Sequence, residues 1–339
     1  MNDSQRSYVM KAKIAGMYPE IEYSLTKNGV RLDRYISSNK VYEVPDFITE
    51  LGIGCFKESN IEEIVLPDTV IKIGNASFSN CIFLKKVKLP GNIISLGDQV
   101  FNACTSVINI RVPDSVLILG EECFHDCFNL EEVKLPSNLI SIGDKCFMGC
   151  SRLKKVTIPD PVTHLGTDCF SGCDNLESVQ LSNSITSISR DCFSYCHSLR
   201  SIAIPSSIYR LDNYCFRNCP SLVDVVIPDT VRIMGEGCFS DCENLKAVKL
   251  SIGVDVIRSG SFLDCSSLEY IEIPDTVVYL EDAAFANCKS LKSVTIPDSV
   301  HEIGTDCFEN CESLKEVEIG DETIIDYKAF PKHVKIRKR

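Results

Sequence analysis

The sequence predicts a repeat solenoid, a right-handed superhelix of twelve rungs with about 23 residues in each. The first observation is a column of eleven cysteines that recur every 23 residues, from Cys81 to Cys311. The second is a phenylalanine three residues before the cysteine position, which occurs in twelve copies from Phe56 to Phe308. A fixed period over so many copies indicates one supersecondary unit stacked on itself, whose apolar faces are buried only against neighbouring units.

The residue type that recurs in each column of the repeat has a physical explanation. The segment Leu153–Ile158 ends in alternating apolar and polar residues, which predicts a strand with one face inward. Pro159 then closes the strand, because proline cannot donate a ladder hydrogen bond. A second apolar pair, Leu139 and Ile142, precedes Phe147. Stacked at one per rung, these segments predict a parallel β-sheet on one face, with short strands and short helical turns on the other.

The residue before the repeated cysteine predicts how the phenylalanine segment ends. It is asparagine, aspartate or glycine in nine of the eleven rungs, and the exceptions are Ala103 and Tyr195. These three residue types tolerate positive φ, so we expect a short helical turn that ends in a left-handed residue.

The two ends depart from the repeat and predict caps. Residues 1–44 are predicted as an N-terminal segment, with a loose helix in residues 1–19 and a β-hairpin cap that turns at Asn28-Gly29. Residues 45–319 form the array. Residues 320–339 are predicted as a C-terminal cap and basic tail, of which Lys335–Arg339 is solvated.

Charge and hydropathy exclude several classes of partner. The net charge is −12; because residues 1–44 carry +2 and residues 328–339 carry +6, residues 45–327, which contain the array, carry −20. An acidic array repels phosphate backbones, so we expect no nucleic-acid binding. No apolar run approaches the roughly 20 residues of a membrane helix, so we expect no membrane insertion. The first residues show no export signal, which predicts a cytoplasmic protein; the cell surface or secretion is the alternative.

The repeat resembles a known family. The run Ile-Pro-x-x-Val-x-x-Leu-Gly-x-x-x-Phe-x-x-Cys-x-x-Leu-x-x-Val-x-Leu, from Ile158 to Leu181, is similar to the BspA-type (Treponema-type) leucine-rich repeats. The resemblance covers residues 44–330 and implies a curved leucine-rich-repeat solenoid that serves in surface adhesion or other protein binding, without catalytic residues. Members tend to have alanine before the phenylalanine, where eight rungs here have cysteine.

The nineteen cysteines all fall in two columns of the repeat, as Cys169 and Cys173 show. Buried free thiols are the favoured interpretation, because cysteine behaves as a small hydrophobe. A disulfide ladder stays open, since rungs about 4.8 Å apart bring equivalent cysteines into bridging range. Metal binding lacks further ligands, because the five histidines fall in five different columns. We therefore expect no metal and no cofactor.

A ligand is expected on the outward columns of the long strands, because the inward columns form the core. The predicted partner is a protein, and the predicted contact residues are Lys86, Lys88, Arg111, Lys134, Lys155, Gln180, Tyr270 and Glu272. Lys88, Arg111 and Lys134 would meet acidic groups, and Tyr270 would be an aromatic anchor. The alternative is that these are ordinary solvated strand positions.

A second candidate surface is the aliphatic column of Ile71, Ile94, Leu117 and Ile140 in the short strands. Four stacked aliphatic residues would make an unusual exposed patch. We expect it to pack against the N-terminal cap or a second subunit.

Catalysis is not expected. Stacked coils also build polysaccharide-active and polysaccharide-binding proteins, and the carboxylate pairs Glu269 with Glu272 and Glu316 with Glu318 are the candidates for such chemistry. The chain has no tryptophan and no inserted loops between rungs. The predicted function is a non-catalytic protein-binding solenoid, either an intracellular scaffold module or adhesin-like, with a polysaccharide-directed protein as the alternative.

Overall fold

The computed structural model describes residues 16–339 and confirms a repeat solenoid of stacked parallel strands. Most rungs contain a long strand, a proline corner, a short strand and a run of turns around the phenylalanine; serine replaces the proline at Ser182 and Ser251, and residues 201–203 form no strand. Between Ile21 and Lys338 the chain contains strands and turns and no helix. The helix expected in residues 1–19 lies almost wholly outside the described residues.

The strands form a hairpin and two series. The hairpin is β1 (Ile21–Thr26) and β2 (Gly29–Tyr35). The long-strand series is β3 (Val41–Glu43), β5 (Glu63–Val65), β7 (Lys86–Lys88), β9 (Asn109–Arg111), β11 (Glu132–Lys134), β13 (Lys155–Thr157), β15 (Ser178–Gln180), β18 (Asp224–Val226), β20 (Ala247–Lys249), β22 (Tyr270–Glu272), β24 (Ser293–Thr295), β26 (Glu316–Ile319) and β28 (Lys335–Lys338). The short-strand series is β4 (Ile48–Leu51), β6 (Lys72–Ile73), β8 (Ser95–Leu96), β10 (Ile118–Leu119), β12 (Ser141–Ile142), β14 (His164–Leu165), β16 (Ser187–Ile188), β17 (Arg210–Leu211), β19 (Ile233–Met234), β21 (Val256–Ile257), β23 (Tyr279–Leu280), β25 (Glu302–Ile303) and β27 (Ile324–Ile325).

Pairing is parallel and keeps the 23-residue register. Glu132 of β11 pairs with Asn109 of β9, and Ser141 of β12 pairs with Ile118 of β10. The long-strand ladders are β3-β5-β7, β9-β11, β13-β15, β18-β20-β22-β24 and β26-β28. The long series is therefore one stack of strands whose hydrogen bonding is interrupted at defined places.

The stack has thirteen rungs, numbered here from Phe56 to Phe330, and not the twelve that the sequence predicted. Phe330 stacks on Phe308 with ring centroids 4.9 Å apart, and β27 and β28 continue the two strand series. The prediction missed this rung because its spacing is 22 residues and it lacks the cysteine.

The basic C-terminal segment is a paired strand, and its prediction as a solvated tail is wrong. It lies beside the acidic strand β26, where Arg337 contacts Glu316 at 3.0 Å, and Arg339 contacts Asp298 of the preceding rung at 3.2 Å. Its side chains remain exposed, but the backbone and the charge pairing hold it in place.

The N-terminal hairpin closes the other end. It turns before Gly29, which has a φ of 134°. Strand β2 then pairs in parallel with β4, so the hairpin extends the short-strand side of rung 1. Tyr35 and Tyr42 cover the first phenylalanine, with ring centroids 5.1 and 6.2 Å from Phe56. The division at residues 44 and 319 stays a prediction.

A column of phenylalanine rings forms the centre of the core. The twelve rings from Phe56 to Phe308 are fully buried. Consecutive centroids lie 5.1–5.7 Å apart with nearly parallel planes. Burial of each ring contributes roughly 1.5–3 kcal/mol, and each ring contacts only its two neighbours in the column.

Tight turns take the place of the predicted helical turn. The residue before the repeated cysteine has positive φ in all eleven rungs, as predicted, including Ala103 at 55° and Tyr195 at 59°. A second left-handed residue lies four positions earlier, for example Lys145 at 52°. Amide groups between these two residues donate to the next rung, as Phe147 does to the Cys169 carbonyl at 2.9 Å. These hydrogen bonds between rungs replace those of a helix.

We expect Phe170→Ala to lower the free energy of unfolding by about 3–5 kcal/mol, because it removes a ring contacted from both sides. A break in a nearest-neighbour stack also divides unfolding into two transitions, which calorimetry would resolve. The matched control is Phe330→Ala, since this half-buried end ring stacks on one neighbour and its loss frays only the last rung. Equal single-step losses for both variants would contradict this expectation.

Candidate functional site

The outward face of the long strands presents two exposed side chains in each rung, on either side of one inward residue. All eight residues predicted from the sequence are exposed on this face. The structure places six of them on five consecutive rungs: Lys86 and Lys88 on β7, Arg111 on β9, Lys134 on β11, Lys155 on β13 and Gln180 on β15. Tyr270 and Glu272 lie together on β22, four rungs beyond Gln180, and so form a separate part of the face.

Of the four interruptions of the long-strand ladder within residues 16–339, two lie where the cationic residues are concentrated. Within residues 16–339, no pairing joins β7 to β9 or β11 to β13. A depression of about 470 Å³ lies at the first opening, between Lys88 and Arg111. A second of about 840 Å³ lies at the next, lined by Lys134, Lys155 and Thr157. Core residues Val87, Leu89 and Leu135 line these depressions and are only half-buried.

Several cations on this face lack a carboxylate partner. Lys86 pairs with Glu63 at 2.8 Å, and Arg111 lies 3.5 Å from Asp114. In the part of the chain that the structure describes, Lys88, Lys134 and Lys155 have no ion pair. These three ammonium groups are therefore free to bind an acidic ligand.

Carboxylates at the entry to the strands are neutralised by lysines of adjacent rungs. Lys40 and Lys85 both contact Glu62 at 2.7 Å, and their hydrogen bonds lower the pKa of Glu62 to about 2. Likewise Lys292 lies 2.6 Å from Glu269 and lowers its pKa. A general acid needs a raised pKa near the working pH. The lowered pKa of Glu269 suits this side chain to ion pairing and not to the proton transfer considered for Glu269 with Glu272. Such exposed pairs contribute little stability.

The first cysteine column is a ladder of hydrogen-bond donors. All nineteen cysteines are free and buried. Each thiol of the first column, from Cys81 to Cys311, donates to the carbonyl of the phenylalanine in the preceding rung, at sulfur–oxygen distances of 3.0–3.3 Å. The second column has no such ladder, and Ser77, Val100, Ser261 and Ala284 replace cysteine there in rungs 2 to 12. The donor requirement explains why only the first column is cysteine in every one of these eleven rungs.

Burial keeps the thiols protonated. It raises the pKa of seventeen of the nineteen, that of Cys127 to about 12. The thiolate is the form that binds metals and attacks disulfides. Among the described residues, no three cysteine, histidine, aspartate or glutamate side chains converge as metal ligands. These columns therefore pack the core.

The aliphatic column of the short strands is exposed. Ile71, Ile94, Leu117 and Ile140 retain 39–67% of their side-chain exposure. The described part of the N-terminal segment, β1 and β2, lies at the end of the stack and does not cover them. Packing against the hairpin is therefore wrong.

Four exposed apolar residues near the long strands were missed by the sequence analysis. Ile82, Phe83, Ile108 and Phe128 lie in rungs 2 to 4 and the loops that join them, and each keeps about half of its exposure, 46–53%. A comparison of each repeat column across the rungs would have found them. The other rungs have polar residues or proline in the columns of Ile82, Phe83 and Phe128.

Comparison with known families assigns the repeat. The BspA type leucine rich repeat region, in six copies, matches residues 49–176, 97–223, 141–267 and 210–337. The chain belongs to the BspA-type leucine-rich-repeat family. Membership favours a protein-interaction or adhesin-like role. No curated protein sequence gives a significant match.

Three solved structures with this architecture come from bacterial proteins. A leucine-rich repeat protein from Bacteroides ovatus is 25% identical, with 94% of this chain and 98% of that chain covered and a TM-score of 0.70. The pneumococcal vaccine antigen PcpA is 20% identical, with 94% and 92% covered and a TM-score of 0.66. A leucine rich cell surface protein from Faecalibacterium prausnitzii is 23% identical, with 88% and 93% covered and a TM-score of 0.55. In the described residues of this BspA-type protein, no helix is long and apolar enough to cross a membrane.

We expect Cys173→Ala to lower the free energy of unfolding by about 1–2 kcal/mol more than Cys169→Ala. Both variants lose the same volume, but only the first removes a hydrogen bond to a buried carbonyl, that of Phe147. Chemical denaturation measures the difference, and Cys173→Ser, which keeps a donor, should recover part of it. If Cys173→Ser is less stable than Cys173→Ala, the thiol acts only as an apolar group.

We expect stability to fall steeply above pH 9. The folded pKa of Cys127 is about 12 and its ordinary value is 9.0, so its contribution is complete below pH 9 and is lost between pH 9 and 12. Each such thiol lowers the free energy of unfolding by up to about 1.4 kcal/mol per pH unit in that window. Proton release on unfolding at pH 10, measured with an indicator dye, should exceed about ten per chain. Release of only a few protons would show that the folded thiols are ionised.

Proposed function

We propose that this BspA-type protein is a non-catalytic protein-binding solenoid whose partner docks along the outward columns of the long strands. The observation that supports this most is the group of unpaired cations Lys88, Lys134 and Lys155 beside two openings of the strand ladder, between β7 and β9 and between β11 and β13. Charged side chains without partners can pair with a complementary surface at no cost in existing interactions, because no internal ion pair has to be broken first.

The openings also supply the shape that a flat sheet lacks. Each depression combines cations at its edge with half-buried aliphatic residues in its floor, such as Val87 and Leu135. A side chain inserted there would bury apolar surface while its neighbours meet charge, which is the composition of an interface hot spot. Residues Lys86, Arg111 and Gln180 extend this contact along the stack.

Tyr270 and Glu272 form the second part of the proposed contact. Tyr270 is exposed on β22 and is the only aromatic side chain in the outward columns from β5 to β26. A partner that reaches from β7 to β22 would span eight further rungs beyond β7, or about 38 Å at sheet spacing from rung to rung. A single aromatic residue does not make the row of platforms that a polysaccharide needs, so the polysaccharide-directed alternative has less support.

For location we propose the cell surface or an extracellular site, in preference to the cytoplasm. The Faecalibacterium protein with this architecture is described as a cell surface protein. The buried, protonated thiols react slowly with oxidants and disulfides, so the folded chain does not need a reducing compartment. Antibody labelling of intact and permeabilised cells tests this, and labelling only after permeabilisation would place the protein inside.

Reversing three charges tests the docking face. We expect the triple variant Lys88→Glu, Arg111→Glu and Lys134→Glu to bind a partner about tenfold more weakly or worse, because it replaces attraction with repulsion. The partner would be isolated with the wild-type protein from the organism's surroundings and its binding measured by surface plasmon resonance at two salt concentrations. Melting should be nearly unchanged, since all three side chains are exposed.

The control for this experiment is Lys72→Glu. Lys72 lies on the short strand β6, outside the proposed docking face, is exposed, and lines neither depression. Its reversal should leave binding within about twofold. A partner that binds the triple variant as well as the wild type docks elsewhere, and the proposed face is then wrong.

A further inference from the structure

A repeat protein contains its own comparison set. Thirteen rungs share one fold, so the residues that most rungs have in a column show what the fold requires there. In the column of Phe83, every later rung up to rung 12 has serine, asparagine or arginine. In the column of Ile108, the other rungs up to rung 12 have lysine, arginine or glutamate, with Val223 as the one further exception. Apolar residues in these columns are therefore not explained by folding.

The structure gives these residues no internal role. We call Ile82, Phe83, Ile108 and Phe128 the apolar rim. Each keeps about half of its exposure, and the rings of Phe83 and Phe128 make no aromatic contact within residues 16–339. Ile108 stands between Lys85 and Glu131, where neighbouring rungs form ion pairs. Ile108 cannot form an ion pair of this kind, and its exposed side chain is not buried in the core instead.

Hydrogen bonds between rungs align the rim. The hydroxyl of Ser106 donates to the Ile82 carbonyl at 2.6 Å, and the amide of Glu131 donates to the Ile108 carbonyl at 2.8 Å. The side-chain amide of Asn129 donates to the Thr105 carbonyl at 2.7 Å. The turns that precede β7, β9 and β11 are therefore stacked, and the rim runs along the entry side of the strands.

The rim lies beside the cations of the same rungs. We call Lys88, Arg111 and Lys134 the cationic column. Ile108 immediately precedes β9 and Arg111 ends it, so about 10 Å of extended chain separates the two. One partner segment that crosses the strands can contact the rim at one end and the cationic column at the other. The openings of the ladder lie between the strands that it would cross.

The negative charge of the rest of the array restricts which ligands this surface can bind. Residues 45–327 carry −20, so an acidic segment is repelled by most of the solenoid and attracted to the unpaired cations. Repulsion elsewhere is a source of specificity that added contacts alone do not give.

We infer that the partner segment bound by rungs 2 to 5 is an acidic peptide with one aromatic or large aliphatic residue three to five positions from its acidic cluster. This inference rests on the proposed function, whose docking face it shares. The apolar residue packs on the rim, and the carboxylates bind the cationic column. The spacing follows from the distance between Ile108 and Arg111 at about 3.3 Å per extended residue.

Three fluorescein-labelled peptides of roughly twelve residues test this by fluorescence anisotropy, a length that spans the strands with polar flanks. The first has one phenylalanine four positions before three consecutive glutamates in a Gly/Ser background. The second has serine for phenylalanine, and the third has lysine for the glutamates. We expect the wild-type protein to bind the first peptide about tenfold or more tightly than either other peptide.

Two protein variants show which residues of the protein contact the phenylalanine of the peptide and which contact its glutamates. Ile108→Ser with Phe128→Ser should abolish the advantage of the phenylalanine peptide over the serine peptide and leave the preference for acid. The triple reversal of the cationic column should weaken binding of both acidic peptides. Ile252→Ser, which changes an equally exposed apolar residue far from these rungs, is the matched control and should change nothing.

The experiment distinguishes a failure of the peptide inference from a failure of the proposed function. Equal binding of the phenylalanine and serine peptides, or no effect of the Ile108 and Phe128 substitutions, overturns the role of the rim while the cationic face stands. Absence of binding by the first peptide also overturns the inference. The proposed function is then decided by the natural partner and the triple charge reversal.

Discussion

The distance between adjacent rungs is the constraint on which the rest of this structure depends. Parallel pairing and turn hydrogen bonds place equivalent residues of successive rungs one strand spacing apart, about 4.8 Å. Every column must therefore consist of residues that accept their own kind as neighbours. Phenylalanine rings stack, thiols donate to the carbonyl below, and lysine alternates with glutamate. A column that satisfies this condition in one pair of rungs satisfies it along the whole stack.

The same spacing decides how much of the molecule the sequence predicts. The period and the inward residues of the strands are visible in the sequence, so the solenoid, the hairpin at Gly29 and the outward columns could be predicted. The turns around Phe147 could not, because Lys145 adopts a left-handed conformation that its residue type disfavours and that hydrogen bonds to the next rung maintain. The openings of the ladder beside Lys88 and Lys134 depend on how successive strands diverge, which no single rung encodes.

The acidity of the array also has a structural origin. Asp144 accepts a hydrogen bond from the Thr167 amide at 2.8 Å, and Asp282 accepts one from the Thr305 amide at 2.8 Å. Asp68 does the same at the proline corner, with the Gly91 amide at 3.0 Å. Aspartate recurs because the stacked turns leave amides that need acceptors. The negative charge is therefore a by-product of folding, and the cationic face is a local departure from it.

The two unlike ends of the stack control its growth. A parallel stack with a repeat near 5 Å is a template to which further strands can add without limit, as in a fibril. Here the antiparallel hairpin β1–β2 changes strand direction at one end. At the other end β28 presents lysine and arginine side chains on its exposed face. Both features disfavour the addition of a second copy in register at the edges of the strand stack that the structure describes.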